Sequence, residues 1–240
     1  MIEEYYQEYW SGRAPRAPST LKPSVRVLLE KYIPESAVCL DVGCGNGRVA
    51  GLWHREKRRR YIGVDISETA LQDARALDLT VCKIADASRL PFERDIFDAV
   101  LCRDVFEHLF APHLAAAEIL RVLKPGGVLV ATVPNVAYWR NRVGLALQGR
   151  WSPGGDKESL PQPWRDPHLR FFTRAALRRM ILAVGFSTVS VGGHEGTLVG
   201  ACPLIRKLEL LKRCERTVYQ YLLAWAPSLF GHRLHAIATK

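Results

Sequence analysis

The most constraining feature of the sequence is a short apolar strand that leads directly into three glycines at alternate positions. Leu40–Arg48 reads LDVGCGNGR, and its glycines are Gly43, Gly45 and Gly47. Glycine adopts positive φ at little cost and lets the backbone approach a ligand closely, so such a turn can lie directly beneath a bound molecule. The run therefore predicts a strand, a ligand-binding loop and the start of a helix.

The residues around these glycines indicate the class of ligand. A dinucleotide-binding loop of the form GxGxxG needs glycine where Arg48 stands, and here an acid, Asp41, lies within the strand. A carboxylate at that place favours a nucleoside ligand that carries an ammonium or sulfonium charge and has no pyrophosphate. We therefore exclude a nicotinamide-dependent dehydrogenase.

Apolar strands alternate with helical patterns along most of the chain, which predicts a parallel sheet covered by helices on both faces. The predicted strands are 38–42, 61–65, 80–84, 97–102, 128–133, 186–191 and 233–239. The predicted helices are 48–58, 67–77, 112–123, 173–184 and 203–225, with Ser67 as one cap and Lys124–Gly127 as one terminator. We expect a single domain whose parts are N-terminal helices and a lid (1–34), a cofactor-binding core (35–134), an insertion (135–172) and a C-terminal part (173–240).

Two further acids follow neighbouring strands. Asp65 closes the second strand and Asp86 comes just after the third. Because the carboxyl ends of parallel strands meet at one edge, both acids can reach the ligand above the glycine loop. Asp65 can accept hydrogen bonds from ribose hydroxyls, and Asp86 can accept one from an adenine amine. The alternatives are structural: Asp41 caps the loop, Asp65 caps a helix and Asp86 forms an Asx turn.

Five motifs occur in order along the chain: VCLDVGCGNG, YIGVDIS, IADASRLPF, FDAVLCRDVFEHL and ILRVLKPGGVLVATVPN. Through these motifs, residues 35–135 resemble the class I S-adenosylmethionine-dependent methyltransferases. The resemblance implies a Rossmann-like, doubly wound α/β sheet of seven mostly parallel strands, the last antiparallel, in three layers. It implies S-adenosylmethionine as the cofactor. The implied cofactor-binding residues are Asp41, Gly43, Cys44, Gly45, Gly47, Asp65, Ile66, Asp86, Ala87 and Arg103. Residues 135–186 also resemble a MetW-like subgroup found beside glycan-biosynthesis enzymes.

Methyl transfer from a sulfonium needs alignment and, for a hydroxyl acceptor, removal of a proton. His108 and His168 are the candidate bases, because the first follows the fourth strand and the second lies in the insertion. The alternative is that His108 caps a helix or bonds a carbonyl, and that His168 anchors its loop. We expect O-methylation, and N-methylation stays open.

A metal site is one further alternative. Asp104, Glu107 and His108 have the spacing acid-x-x-Glu-His, which resembles the metal-binding element of some ubiquinone-pathway O-methyltransferases and small-RNA 3′-end methyltransferases. His168 would be a further ligand in such a site. Because the first acid is Asp rather than the Glu associated with that element, we expect no metal.

The net charge of +10, from 34 Lys and Arg against 24 Asp and Glu, favours an anionic small-molecule acceptor such as a glycan precursor or a metabolite. The alternative is a solvated positive surface with no ligand. Nucleic acid is not favoured, because no separate RNA-binding module is present. Two other functions stay open: a non-catalytic S-adenosylmethionine-binding regulatory partner, and a metal-assisted RNA 2′-O-methyltransferase.

No apolar run approaches the roughly 20 residues that span a bilayer, and the first ten residues do not resemble a secretory signal. We expect a cytoplasmic protein. The six cysteines lack CxxC spacing, which predicts reduced and buried thiols. Near the N-terminus, Tyr5, Tyr6, Tyr9 and Trp10 have the spacing of an aromatic helix that can cover the cofactor or simply pack.

Overall fold

The computed structural model describes residues 2–11, 23–48, 50–57, 60–149, 166–196 and 209–240. Its helices are α1 (Ile2–Ser11), α2 (Pro23–Tyr32), α3 (Ala50–Glu56), α4 (Glu68–Arg75), α5 (Pro112–Val122), α6 (Trp139–Gln148), α7 (Arg174–Val184), α8 (Glu209–Trp225) and α9 (Pro227–Phe230). Its strands are β1 (Val38–Val42), β2 (Arg60–Asp65), β3 (Val81–Lys83), β4 (Phe97–Arg103), β5 (Leu123–Pro134), β6 (Thr188–His194) and β7 (Arg233–Thr239). A 3₁₀ turn at Phe106–His108 follows β4.

The seven strands form one sheet in the order β3-β2-β1-β4-β5-β7-β6. The pairs among β1 to β5 are parallel, and β7 is antiparallel to both β5 and β6. This arrangement confirms the predicted doubly wound α/β sheet with an antiparallel last strand. The carboxyl ends of β1, β2 and β4 consequently meet at one edge, beside the start of β7.

Apolar residues cover both faces of the central strands. Leu40, Val100 and Leu129 belong to one buried cluster, and their neighbours Leu101 and Val130 belong to the cluster on the other face. Successive side chains of a strand point to opposite faces, so strands buried on both sides appear as continuous apolar runs in the sequence. This two-sided burial holds the carboxyl edge in place for the loops that follow it.

Several predicted boundaries are observed. The Ser67 side chain caps α4 by accepting a bond from the Ala70 amide, and Gly185 ends α7 in the left-handed region at φ 114°. Lys124–Gly127 does not simply end a helix. The pairing of β4 with β5 shifts between Phe97↔Leu123 and Ala99↔Val128, so these four residues bulge out of β5.

Two other expectations differ from the structure in part. Cys39 and Cys102 are buried and Cys44 is partly buried, whereas Cys82 is exposed on the short edge strand β3. The predicted helix over 203–225 is observed from Glu209, and residues 197–208, like most of the insertion loop at 150–165, lie outside the described residues. Within the described part of the chain, no helix has the length and apolar character needed to cross a membrane.

Candidate active site

The glycine loop after β1 has a backbone that requires glycine. Gly43, Gly45 and Gly47 have φ of 71°, 55° and 69°. A Cβ atom added to Gly43 would lie 2.3 Å from the Val105 side chain, and one added to Gly45 would lie 2.7 Å from the Trp10 ring. The loop is therefore enclosed between the segment after β4 and the N-terminal helix.

Asp65 fastens this loop to the next helix. Its carboxylate accepts a hydrogen bond from the Gly45 amide at 2.8 Å and another from the Ser67 amide at 2.9 Å. Burial raises the pKa of Asp65, and these amide bonds oppose that effect. The side chain that caps this helix is that of Ser67, so Asp65 does not cap the helix itself and instead bonds the backbone amide of the capping residue. After these two bonds the Asp65 carboxylate still has lone pairs that can accept hydrogen bonds from ribose hydroxyls. The ribose contact of Asp65 stays a prediction.

Asp41 is buried, and the partly buried Arg103 lies near enough for its charge to act on this carboxylate. Asp41 is 4% exposed, and its carboxylate accepts a hydrogen bond from the Tyr61 hydroxyl at 3.0 Å. Burial raises the pKa of Asp41 to about 6, and the positive charge of Arg103 opposes this rise. Among the described residues, Arg103 Nε has no hydrogen-bond partner, which leaves a buried donor near the loop.

The remaining predicted cofactor residues follow β2 and β3. Asp86 is exposed and accepts bonds from the amide and hydroxyl of Ser88, which is the Asx turn considered as an alternative. Ala87 is 7% exposed, while Ile66 and Cys44 are partly buried. Their cofactor contacts stay predictions.

The two predicted bases come together, although His108 follows β4 and His168 lies beyond the insertion. Their ring centroids are 4.7 Å apart. His168 Nδ1 lies 2.5 Å from a carboxylate oxygen of Asp166, which also accepts a bond from the His168 amide at 2.9 Å. His108 Nδ1 lies 3.2 Å from the Pro167 carbonyl oxygen, as the backbone-bonding alternative predicted.

Glu107 lies beside these rings in an unusual environment. Its side chain is 1% exposed, and neither carboxylate oxygen has a hydrogen-bond partner within the described parts of the chain. Burial and the nearby charge of Asp104 raise the pKa of Glu107 well above its usual value. One ligand atom from each of Glu107, His108 and His168 lies within 4.8 Å of the others, so these three groups could hold a metal ion.

The N-terminal helix α1 covers this edge of the sheet. The Tyr6 ring meets the His108 ring edge-on, with centroids 5.9 Å apart. Burial raises the pKa of the Tyr6 hydroxyl, which has no hydrogen-bond partner among the described residues. The predicted aromatic helix therefore lies over both the glycine loop, through Trp10, and the histidine pair.

Two residues at this edge, Asp166 and Arg233, were not predicted from the sequence. Asp166 stands two residues before His168, a spacing that could have indicated its role as the partner of that ring. Arg233 begins β7, and its guanidinium pairs with Asp104 and lies 3.8 Å from a Glu195 carboxylate oxygen. No local pattern indicates the Arg233 pair, because only the pairing of β5 with β7 brings the distant segments together.

Comparison with known proteins shows what the core is similar to. Residues 40–131 match the family described as "Methyltransferase domain". A tRNA (carboxymethyluridine(34)-5-O)-methyltransferase of Arabidopsis thaliana is 31% identical over 63% of this chain and 37% of its own length. The mitochondrial arginine-hydroxylase NDUFAF5 of Homo sapiens is 29% identical over 79% of this chain and 55% of its own length. The chain thus spans roughly a third to just over half of these relatives.

A solved structure of phosphoethanolamine N-methyltransferase 2 of Haemonchus contortus with S-adenosyl-L-methionine shares the fold. Its TM-score is 0.61 at 18% identity, with 98% of this chain and 56% of that chain covered. The matched family region ends before the insertion, so the MetW-like subgroup is not confirmed.

Proposed function

We propose that this chain, whose residues 40–131 form a methyltransferase domain of class I fold, methylates a hydroxyl oxygen of a small acceptor and uses His168 as the base. The observation that carries the proposal is the contact between His168 Nδ1 and Asp166 at 2.5 Å. An imidazole that donates Nδ1–H to a carboxylate keeps Nε2 free to accept a proton and gains stability when it becomes charged.

The cofactor of the domain is S-adenosylmethionine, which supplies an electrophilic methyl group on a sulfonium when bound. The residues present fit it, because Gly43, Gly45 and Gly47 all have positive φ and none of them has room for a Cβ atom. Asp65 holds the amide of Gly45 and offers further lone pairs to ribose hydroxyls. We assign the adenine end to Asp86 and Ala87.

His108 has a different task from His168. Burial, together with the neighbouring His168, lowers the pKa of His108 to about 4, so His108 stays neutral near neutral pH. Because a carbonyl oxygen can only accept a hydrogen bond, the neutral His108 ring donates its Nδ1–H to the Pro167 carbonyl. This bond holds the segment that carries Asp166 and His168. We therefore assign positioning to His108 and proton removal to His168. Tyr6 of α1 covers the pair and excludes water.

Calorimetric titration with S-adenosylmethionine and S-adenosylhomocysteine tests the cofactor site first. We expect micromolar binding by the native chain, at least tenfold weaker binding by Asp65→Ala, and no change in Glu93→Ala, which removes an exposed carboxylate elsewhere. Absence of binding by well-folded native protein would overturn the proposal.

Formation of S-adenosylhomocysteine with a panel of hydroxyl and amine acceptors tests the base. We expect His168→Gln to lower kcat by about 100-fold or more while cofactor binding is retained, in line with the usual contribution of general bases. Exposed His113→Gln is the matched control. Cofactor binding without turnover on any acceptor would instead indicate a regulatory binding protein.

A second candidate is metal-assisted transfer, favoured by the buried and unpartnered carboxylate of Glu107. A divalent cation held by Glu107, His108 and His168 would neutralise that carboxylate and orient a hydroxyl acceptor. Glu107→Gln separates the two candidates. It should abolish Mn²⁺ binding, measured by electron paramagnetic resonance, and transfer activity in the metal-assisted case. If His168 is the base and no metal takes part, methyl transfer by the native chain resists EDTA. The Glu107→Gln substitution then changes the transfer rate by less than about threefold.

A further inference from the structure

A cavity of about 620 Å³ lies on the outer side of α7, away from the glycine loop. It is bordered by Arg174, Arg178 and Arg179, has Leu182 in its apolar lining, and is closed on one side by Ser228 of α9. Pockets of this size accommodate one small ligand or one part of a larger one.

The charge of this cavity is one-sided. Helix α7 has the sequence RAALRRMILAV, which contains three arginines and no acid. Arg174 Nε donates to the Val191 carbonyl at 2.7 Å, which fixes the first guanidinium. Arg178 and Arg179 are exposed, and neither forms a hydrogen bond or an ion pair within the described parts of the chain. Guanidinium groups have planar forks that can contact the oxygens of a phosphate in pairs, so three of them along one cavity have the chemistry that phosphate binding requires.

The cavity adjoins the edge of the sheet where transfer is proposed. The carbonyl of Ser228, which borders it, accepts a hydrogen bond from Asn135 Nδ2 at 2.8 Å. Asn135 directly follows β5 and forms a bridge with Phe172, just before α7 begins. The arginines are therefore connected through Asn135 to the carboxyl edge that carries the histidine pair.

The surroundings argue against a polynucleotide in this place. Several acids lie at the carboxyl edge of the sheet that the cavity adjoins: Asp104 and Glu107 follow β4, Glu195 follows β6, and Asp166 contacts His168. Asp104 and Glu195 both lie within ion-pair distance of Arg233. A polyanion that crosses this edge would meet repulsion, whereas one phosphate group confined to α7 would not.

We propose that the α7 cavity binds the phosphate or pyrophosphate group of the methyl acceptor, with the acceptor's hydroxyl extending toward His168. That the bound phosphate compound is the methyl acceptor rests on the proposed function, whereas anion binding at α7 does not. The same phosphate chemistry occurs on soluble metabolites and on lipid carriers, and the experiment below distinguishes these sources.

The test measures anion binding by the full-length chain without turnover. The ligands are inorganic pyrophosphate, by calorimetry, and phosphatidylcholine vesicles with and without phosphatidic acid, by co-sedimentation. The cavity variant is Arg178→Ala/Arg179→Ala, and the control is Arg60→Ala/Arg94→Ala, which removes two exposed arginines elsewhere. Arg178→Lys/Arg179→Lys keeps the charge and removes the guanidinium fork.

We expect the alanine pair at α7 to weaken pyrophosphate binding at least tenfold, the lysine pair to weaken it severalfold, and the control to change it less than twofold. Loss of binding only to phosphatidic acid vesicles, in the α7 variant and not in the control, also supports the site and assigns the phosphate to a lipid. No binding, or equal loss in both alanine variants, overturns the proposal. A single-stranded RNA is titrated as a further ligand. The proposal is also overturned if the native chain binds this RNA more tightly than pyrophosphate and if both alanine variants weaken RNA binding equally. Cofactor titration by each variant keeps this result separate from a failure of the methyltransferase assignment.

Discussion

The Gln7 side chain of α1 lies over the first turn of α4, where its Oε1 accepts hydrogen bonds from the Thr69 amide at 3.0 Å and the Thr69 hydroxyl at 2.7 Å. The same oxygen accepts a third bond from the Ser67 hydroxyl at 3.2 Å. Ser67 is also bonded through its amide to Asp65. The N-terminal helix and the acid assigned to the ribose are therefore joined at the start of α4.

Substitution of Gln7 by Ala removes these bonds and should loosen α1 from the cofactor site. Net hydrogen bonds contribute about 1 kcal/mol each, so loss of two or three corresponds to roughly tenfold or greater weakening of S-adenosylmethionine binding. Calorimetry measures the change. Gln72→Ala, on the exposed side of α4, is the control and should bind the cofactor like the native chain. Equal affinity of all three proteins would show that α1 does not act as a lid.

Gly45 and Gly126 form a matched pair of glycines with positive φ. Their φ values are 55° and 76°, but a Cβ at Gly45 would lie 2.7 Å from the Trp10 ring, whereas one at Gly126 would meet nothing within 4 Å. Both substitutions by Ala should cost about 1 kcal/mol of unfolding free energy through the backbone. Only Gly45→Ala should also displace Trp10 and weaken cofactor binding by tenfold or more. Urea unfolding and calorimetry on both variants measure these effects.

The sequence was sufficient to predict the sheet and the glycine loop, because both depend on local patterns. Apolar runs and alternating glycines specify a strand and a turn wherever they occur, as at Leu40–Arg48. The bulge at Lys124–Gly127 was not predictable, since it depends on the register between β4 and β5. A Pro-Gly-Gly segment reads equally well as a helix terminator.

The histidine pair illustrates what sequence alone could supply for the site. His108 and His168 were both candidates, yet their 4.7 Å separation depends on how the insertion returns to the sheet. The contact between Asp166 and His168 likewise depends on the path of the chain after the insertion. The acid-x-x-Glu-His spacing pointed to the cluster at Glu107, but the spacing does not show that the Glu107 carboxylate is buried without partners.

The ion pair between Arg233 and Asp104 should contribute to stability more than an exposed pair does. Its side chains are 23% and 30% exposed, and Asp104 has a φ of 54°, which is uncommon for a residue other than glycine. Arg233→Met leaves Asp104 and Glu195 without their shared cation, so we expect a loss of about 2 kcal/mol in urea unfolding. Arg26→Met breaks the exposed pair with Glu30, at 47% and 43% exposure, and should cost less than about 1 kcal/mol. Equal losses in the two variants would contradict this prediction.

His194 and His235 should make the fold sensitive to mild acid. Burial, and the proximity of His235, lower the pKa of His194 to about 4, and burial with the nearby Lys31 lowers that of His235 to about 4. In the unfolded chain a histidine has its usual pKa of about 6.5, so the unfolded chain binds more protons than the folded chain between about pH 6.5 and pH 4. The stability is fully present above about pH 6.5 and is lost progressively toward pH 4. The raised pKa of Asp41, about 6, has the opposite sign and offsets part of this loss.

Comparison of native protein with His194→Gln isolates one histidine from these opposing groups. Between about pH 7 and pH 5, native protein should lose about 2 kcal/mol more unfolding free energy than the variant, because the variant has no buried imidazole to protonate at this position. Urea unfolding at several pH values measures the difference, with exposed His113→Gln as the control that should follow the native curve. If native protein and His194→Gln lose stability in parallel, protonation of His194 does not contribute to acid unfolding, and the loss must come from other buried groups at the same edge.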